Sequence, residues 1–310
     1  MPESYNTLAG LVQLNDKNLA DLDITDLLED APLLQVLFAQ HASNGTLHKY
    51  LKQTTASSAS FRAALDGATK TASADTLVTD TLAILDATFD TDVALADAYK
   101  GGRDVWLQKE LVRSLKASFF AAESQVIYGV GNDALGFSGL HDNAQLAAIA
   151  QPMVIEAATA GSTESSQTSV YLLRSGKDDC SFILGNDGKI VADEDPTIIK
   201  KDGSSTGTFP ALYVAVTGYS GFQIGGAYSA ARICNIETAL TDDDMANGLA
   251  LFPASRPANL IVMNRAARNL LRKSKTATNP TGKAAESPKE FDDIPIVVTD
   301  AVISTEAVET

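Results

Sequence analysis

The chain has 310 residues, of which 45% are hydrophobic and 20% charged, enough for one large domain or two moderate ones. A formal net charge of −15 excludes tight nucleic-acid binding over the whole surface, because phosphate affinity comes from neutralisation by Lys and Arg, and it disfavours anionic membranes. The sequence has no apolar run of about 18 residues and no basic-then-apolar leader, so neither a transmembrane helix nor a signal peptide is expected, and the chain is expected to stay in the cytoplasm until lysis.

Residues 1–43 read as an acidic arm. Asp21, Asp23, Asp26, Glu29 and Asp30 stand against a single Lys17, with short apolar groups between them. Pro32 suits the first turn of a short helix over LLQVLFAQ. Such an arm buries too little by itself and must lie along its own body or a neighbour. Residues 44–98 read as a long hairpin excursion. Strand-like residues 46–52 and the run 75–89 flank a small, polar tip, and 61–70 is mixed and partly helical in character. A projecting arm costs ordering entropy for little burial within one subunit.

The longest segment with helical spacing is Arg103–Tyr128. Leu107, Leu111, Leu115 and Phe119 recur every fourth residue, and Val105, Val112, Phe120, Val126 and Ile127 widen the apolar stripe. Gly101-Gly102 before it and Gly129 after it punctuate a rod of about 40 Å. A Gly-rich loop follows, and from about residue 145 the pattern is rich in strands. Strand-like runs at 169–176, 180–185, 211–236 and 259–264 alternate with turns at Gly185–Gly188 and Asp202-Gly203. Thr241 and the three aspartates after it read as a helix start. A basic-ended helix from Arg265, a polar loop and a last strand over 294–302 complete the chain.

No motif announces catalysis. Gly129-Val-Gly131-Asn-Asp-Ala134 follows a helix, whereas a dinucleotide fingerprint precedes one. His41, His48 and His141 lack metal-ligand spacing, and Asp242, Asp243 and Asp244 lack the alternation of a calcium loop. No cofactor is expected, and the chain reads as a non-enzyme. Cys180 and Cys234 read as two reduced structural thiols, with a disulfide between them as the alternative. Two basic clusters, Lys109, Arg113, Lys116 and Arg265, Arg268, Arg272, Lys273, Lys275, are either solvated or paired faces, or surfaces for weak phosphate contact and pairing with an acidic arm.

Two stretches carry a family resemblance. The long helix with its Gly-rich loop, Gly102 to Asp142, and the strand–helix–loop–strand ending, Ala258 to Val302, resemble the major capsid proteins of tailed bacteriophages, the Hong Kong 97-type fold. In the second stretch Asp293 stands where the family often has Gly, which suggests a different turn before an intact strand. The resemblance implies an α+β fold. Its parts are an N-arm (1–43), an E-loop with flanking strands (44–98) and a peripheral domain (99–145) with its spine helix at 103–128. An axial domain (146–290), with some strands of 169–236 assignable to the peripheral sheet, and a final peripheral strand and tail (291–310) complete it. It also implies hexamers and pentamers of an icosahedral virion shell enclosing double-stranded DNA by weak contact, assembled in the host bacterial cytoplasm. Lys109, Arg113, Lys116, Arg265, Arg268 and Arg272 then become lumen-facing or assembly candidates. Lys49, Tyr50, Lys52, Phe61 and Arg62 become E-loop contacts between subunits. Portal, scaffolding and decoration proteins are the implied further partners, with no membrane; because the arm begins at Met1, a separate scaffold is expected. An encapsulin-like compartment around a cargo protein is the alternative.

Overall fold

The computed structural model describes residues 28–55, 59–67, 73–160, 162–188, 190–192, 196–202, 207–277 and 283–309. The acidic run before Leu28, the tip at 56–58, Lys70 and the turn at Asp202-Gly203 fall wholly or partly outside them.

The chain enters the core at once. Leu28, Ala31, Leu33, Leu34 and Leu37 are essentially buried around helix α1 (Pro32–Val36). The proline sits at the first helical position, where its missing N–H costs nothing. The expected helix over 32–40 ends early, and strand β1 (Ala39–His41) follows it. Residues 28–41 are thus part of their own subunit's body.

Strands β2 (Leu47–Thr55) and β3 (Ala74–Thr81) form the expected hairpin as an isolated two-stranded sheet. The rest of the 44–98 segment leaves it. Strands β4 (Ala83–Asp86) and β5 (Phe89–Asp92) join sheets of the body, and helix α2 (Val93–Ala98) starts from an Asp92 side chain that accepts from the Ala94 amide. Residues 61–67 hold a turn, not a helix.

Helix α3 (Arg103–Tyr128) has the bounds read from its glycines. Its burial is uneven. Leu115, Phe119, Val126 and Ile127 are buried, Leu107, Leu111 and Val112 are half-buried, and Val105 and Phe120 are exposed, contrary to expectation. At its end Gly129 turns with a φ of 54°, and a Cβ there would lie 1.7 Å from the Asp142 carboxylate. That carboxylate accepts from Val130 N (2.8 Å) and Gly139 N (3.0 Å), so the Gly-rich loop is folded tightly onto the helix. The loop faces the carbonyl end of α3, the wrong pole for a phosphate.

Two sheets carry the body. One runs β1–β8–β12–β4 with β8 at Cys180–Leu184 and β12 at Val216–Ile224; β9 (Val191–Ala192) also pairs with β12. The other runs β15–β16–β14–β7–β13–β6, with β6 at Val154–Glu156, β7 at Thr168–Leu173, β13 at Ala230–Ile236, β14 at Leu260–Met263, β15 at Glu290–Phe291 and β16 at Ile294–Val298. Strands β7, β13 and β14 are buried along their whole length, as their near-continuous apolar sequences require. Helix α4 (Asp242–Ala250) packs on β13, and α5 (Arg265–Ala277) packs near β7. Gly248 permits the close approach of α4, since a Cβ there would lie 2.7 Å from Leu172. A smaller sheet, β10 (Thr197–Asp202), β11 (Thr208–Val214) and β5, flanks the body.

Sheet membership cuts across the sequence-based divisions. Strand β16 pairs in parallel with β14, so the last strand continues the sheet of the preceding segment. Strands β8, β9 and β12 join β1 and β4 instead of the sheet around β7. The Asp292-Asp293 turn is a two-residue hairpin loop with φ of 50° and 61°, conformations that Asp tolerates better than most side chains.

Candidate assembly surfaces

The hairpin β2–β3 is held to the body at its base. His48 is buried, and its Nε2 stands 2.7 Å from Gln223 Oε1. Gln223 Nε2 donates to Lys177 O, which leaves Oε1 as acceptor for both His48 and Gln40 Nε2 (3.0 Å). Imidazole Nε2 is therefore the donor. Its ring stacks near Tyr50, whose phenol is pushed up from its ordinary pKa by burial and by Asp80. Leu82 packs against Gly185 and Gly221 at the foot.

Beyond the foot the hairpin buries little. Leu51 and Leu77 face each other across the ladder, yet are 66% and 60% exposed, and Phe61 and Leu65 are fully exposed. Lys49 is exposed, and Lys52 half-buried. Arg62 donates from Nη1 to Asp66 O (3.0 Å), a bond within the loop. Of the five hairpin candidates, Phe61 thus presents the largest unburied apolar surface.

The basic candidates differ in what surrounds them. Lys109 lies over the Tyr99 ring at 5.7 Å. Arg113 pairs with Glu110 (2.6 Å), Lys116 with Glu29 (3.5 Å) and Arg265 with Asp300 (2.7 Å). Arg113, Lys116 and Arg265 line a cleft of about 570 Å³ together with Glu29, Asp30 and Asp300. Arg268 and Arg272 lie further along α5, half-buried, and do not line it. The cleft is of mixed charge, so it offers anions no uniformly positive wall.

Two buried polar centres escaped the sequence reading. Glu123 on α3 accepts from Leu33 N (2.9 Å), Leu34 N (3.2 Å) and the Thr299 hydroxyl. Arg232 on β13 has no exposure and ties the tail down. It donates to Glu306 (3.1 Å), Glu309 (2.9 Å) and Ser169 (3.0 Å), while Tyr128 donates to Glu306 (2.6 Å). Both left a signal: Arg232 interrupts an apolar strand, and Glu123 falls on the four-residue series after Phe119.

The remaining expected features are placed as follows. Cys180 and Cys234 are buried and unbridged; burial pushes the Cys234 thiol up to about 11 and Cys180 higher still. Thr241 and Asp244 form a capping box, with Asp244 N donating to Thr241 Oγ1 (3.1 Å) and Thr241 N to Asp244 Oδ2 (2.9 Å). Among the described residues no group of three His, Cys, Asp or Glu is placed to hold a metal, and no helix is long and apolar enough to cross a membrane.

Comparison with known proteins places this architecture. The chain superposes on one from the bacteriophage Epsilon15 structure with a TM-score of 0.62, at 20% identity, over 88% of each chain. For the capsid of bacteriophage JBD30 decorated with minor capsid protein trimers the TM-score is 0.50, at 11% identity, over 96% of this chain and 99% of that one. A SrpI encapsulin from Synechococcus elongatus gives 0.46 at 10% identity, over 73% of this chain and 94% of that one. Sequence comparison with curated proteins finds no match. The first two likenesses show the fold, the Hong Kong 97-type architecture. The family model "Major capsid protein GP7" matches residues 16–309. The chain therefore belongs to the major capsid protein GP7 family of bacteriophage capsid proteins.

Proposed function

We propose that this major capsid protein works as a non-enzymatic building block, forming hexamers and pentamers of an icosahedral shell around double-stranded DNA. The observation that carries the reading is the hairpin. Its Leu51, Leu77, Phe61 and Leu65 stay in water in the single subunit, and an ordered projection of that kind repays its entropy only against another copy. In this reading residues 44–98 contain the E-loop and its flanking strands, α3 is the spine, and the segment before residue 44 is the N-arm. The sheet around β7 and β13 forms the main part of the axial domain. Lys49, Tyr50, Lys52, Phe61 and Arg62 contact the neighbouring subunit. The basic groups at Lys109, Arg113, Lys116, Arg265, Arg268 and Arg272 touch DNA weakly at most, since several already have acidic partners. Assembly takes place in the host bacterial cytoplasm, with portal and scaffolding proteins and decoration proteins as candidate partners.

Electron microscopy and light scattering of the purified protein test the reading. Megadalton shells or discrete capsomers are expected, and a monomer at high concentration under every assembly condition refutes it. Replacing Leu51 by Lys and Leu77 by Glu, which can pair across the ladder, should abolish shells while shifting subunit stability by less than about 1 kcal/mol, because both side chains are exposed. Shells that form as in the parent would remove the hairpin from the interface.

A further inference from the structure

We infer that Glu123 makes the junction of α1, α3 and the segment after β16 a pH-sensitive clasp, tightest in acid and loosened as the pH rises toward and through neutrality. The carboxylate is fully buried, and it joins three separate parts of the chain. One oxygen accepts the Leu33 and Leu34 amides at 2.9 and 3.2 Å, at the first turn of α1. The other accepts the Thr299 hydroxyl, and that hydroxyl oxygen in turn accepts the Ala301 amide at 2.9 Å. The donors are neutral dipoles. Among the described residues no Lys, Arg or His stands within ion-pair distance of Glu123.

The charged groups that line the cleft beside these elements are Glu29 and Asp30 before α1, Arg113 and Lys116 on α3, Asp300 after Thr299 and Arg265 on α5. Glu29 pairs with Lys116 and Asp300 with Arg265, at the cleft. None of them hydrogen-bonds to the Glu123 carboxyl. Burial pushes that carboxyl up to about 7 from an ordinary 4.5, against the opposing pull of its three hydrogen bonds. A buried carboxylate with dipoles but no cation is poorly compensated, and undocking α1 would hydrate it.

The direction follows from proton binding. Between the ordinary value and about 7 the docked state holds more proton than the undocked one, so acid favours docking and rising pH favours opening. With these two values the opening constant grows about tenfold from about pH 6 to about pH 8, and it levels off above that. The clasp belongs to the single subunit, so it can stand or fall independently of the shell reading.

Hydrogen exchange read by mass spectrometry on the full-length chain tests it, with rates corrected for the intrinsic effect of pH. Peptides spanning Leu33–Leu34 and Thr299–Ala301 should lose about tenfold in protection over that range, while α4 changes by less than about twofold. Glu123→Gln, neutral at every pH and of the same shape, should hold protection constant. A flat profile in the parent, an equal loss in α4, or the same fall in the Gln variant overturns the inference. If the Gln variant does not fold, the contrast between clasp and α4 in the parent decides.

Discussion

Arg232 shows what a single side chain can cost and what it can hold. It lies in a strand whose other residues, Asn235 apart, are apolar, has no exposure, and is neutralised by Glu306 and Glu309 from the tail. Its value is conditional on both partners, because a buried charge is tolerable only when paired and hydrogen-bonded. Arg232→Ala, which strands Glu306 beside β13, should lower the free energy of unfolding by about 3–5 kcal/mol in urea titration. Glu306→Gln keeps the shape and one acceptor, and its cost should be clearly smaller. The presence of a charge in an apolar run was legible in the sequence and asked for a partner. Its identity was not, because the nearer partner, Glu306, lies 74 residues away and only the fold brings it there. The aspartates at 292 and 293 were read more fully: a missing Gly suggested an altered turn, and the structure supplies a hairpin loop with two positive φ angles.

At the scale of the element, α3 separates periodicity from burial. Spacing and flanking glycines placed its ends correctly, since both signals are local. The depth of each position is set by what packs against it. The N-terminal half packs against α2 and the short strands β4 and β5 and stays half in water, whereas the C-terminal half is enclosed by α1, the Gly-rich loop and the tail. Leu115→Ala should therefore cost about 2–5 kcal/mol, and Val105→Ala less than about 0.5 kcal/mol, as read by chemical denaturation. Equal effects would mean that the stripe is buried uniformly. The polar positions Ser118, Glu123 and Gln125 on the buried face were missed for the same reason. Gln125 fastens the loop through Asp133 O (3.1 Å) and Phe137 O (2.7 Å), a role that needs the loop to be in place.

For the whole molecule, the contrast is between a body with one continuous core and a hairpin attached at its foot. Stability should be distributed accordingly. In the unassembled subunit the amides of β3 beyond the foot should exchange at least about a hundredfold faster than those of β7, and they should become protected on assembly. Comparable protection in the free subunit would show that the hairpin is stable without a neighbour.

The sequence by itself determined the strands that are apolar throughout, the span of the long helix, the capped start of α4, the existence of a projecting hairpin and the family resemblance. All of these rest on local spacing, turn chemistry or order along the chain. Only the tertiary structure decided that residues 28–41 belong to the body, that β16 continues the β14 sheet, that Arg113, Lys116 and Arg265 meet acidic partners, and that Glu123 and Arg232 are enclosed. Those outcomes depend on which distant segments exclude water from a given side chain, a non-local property that periodicity along one segment does not contain.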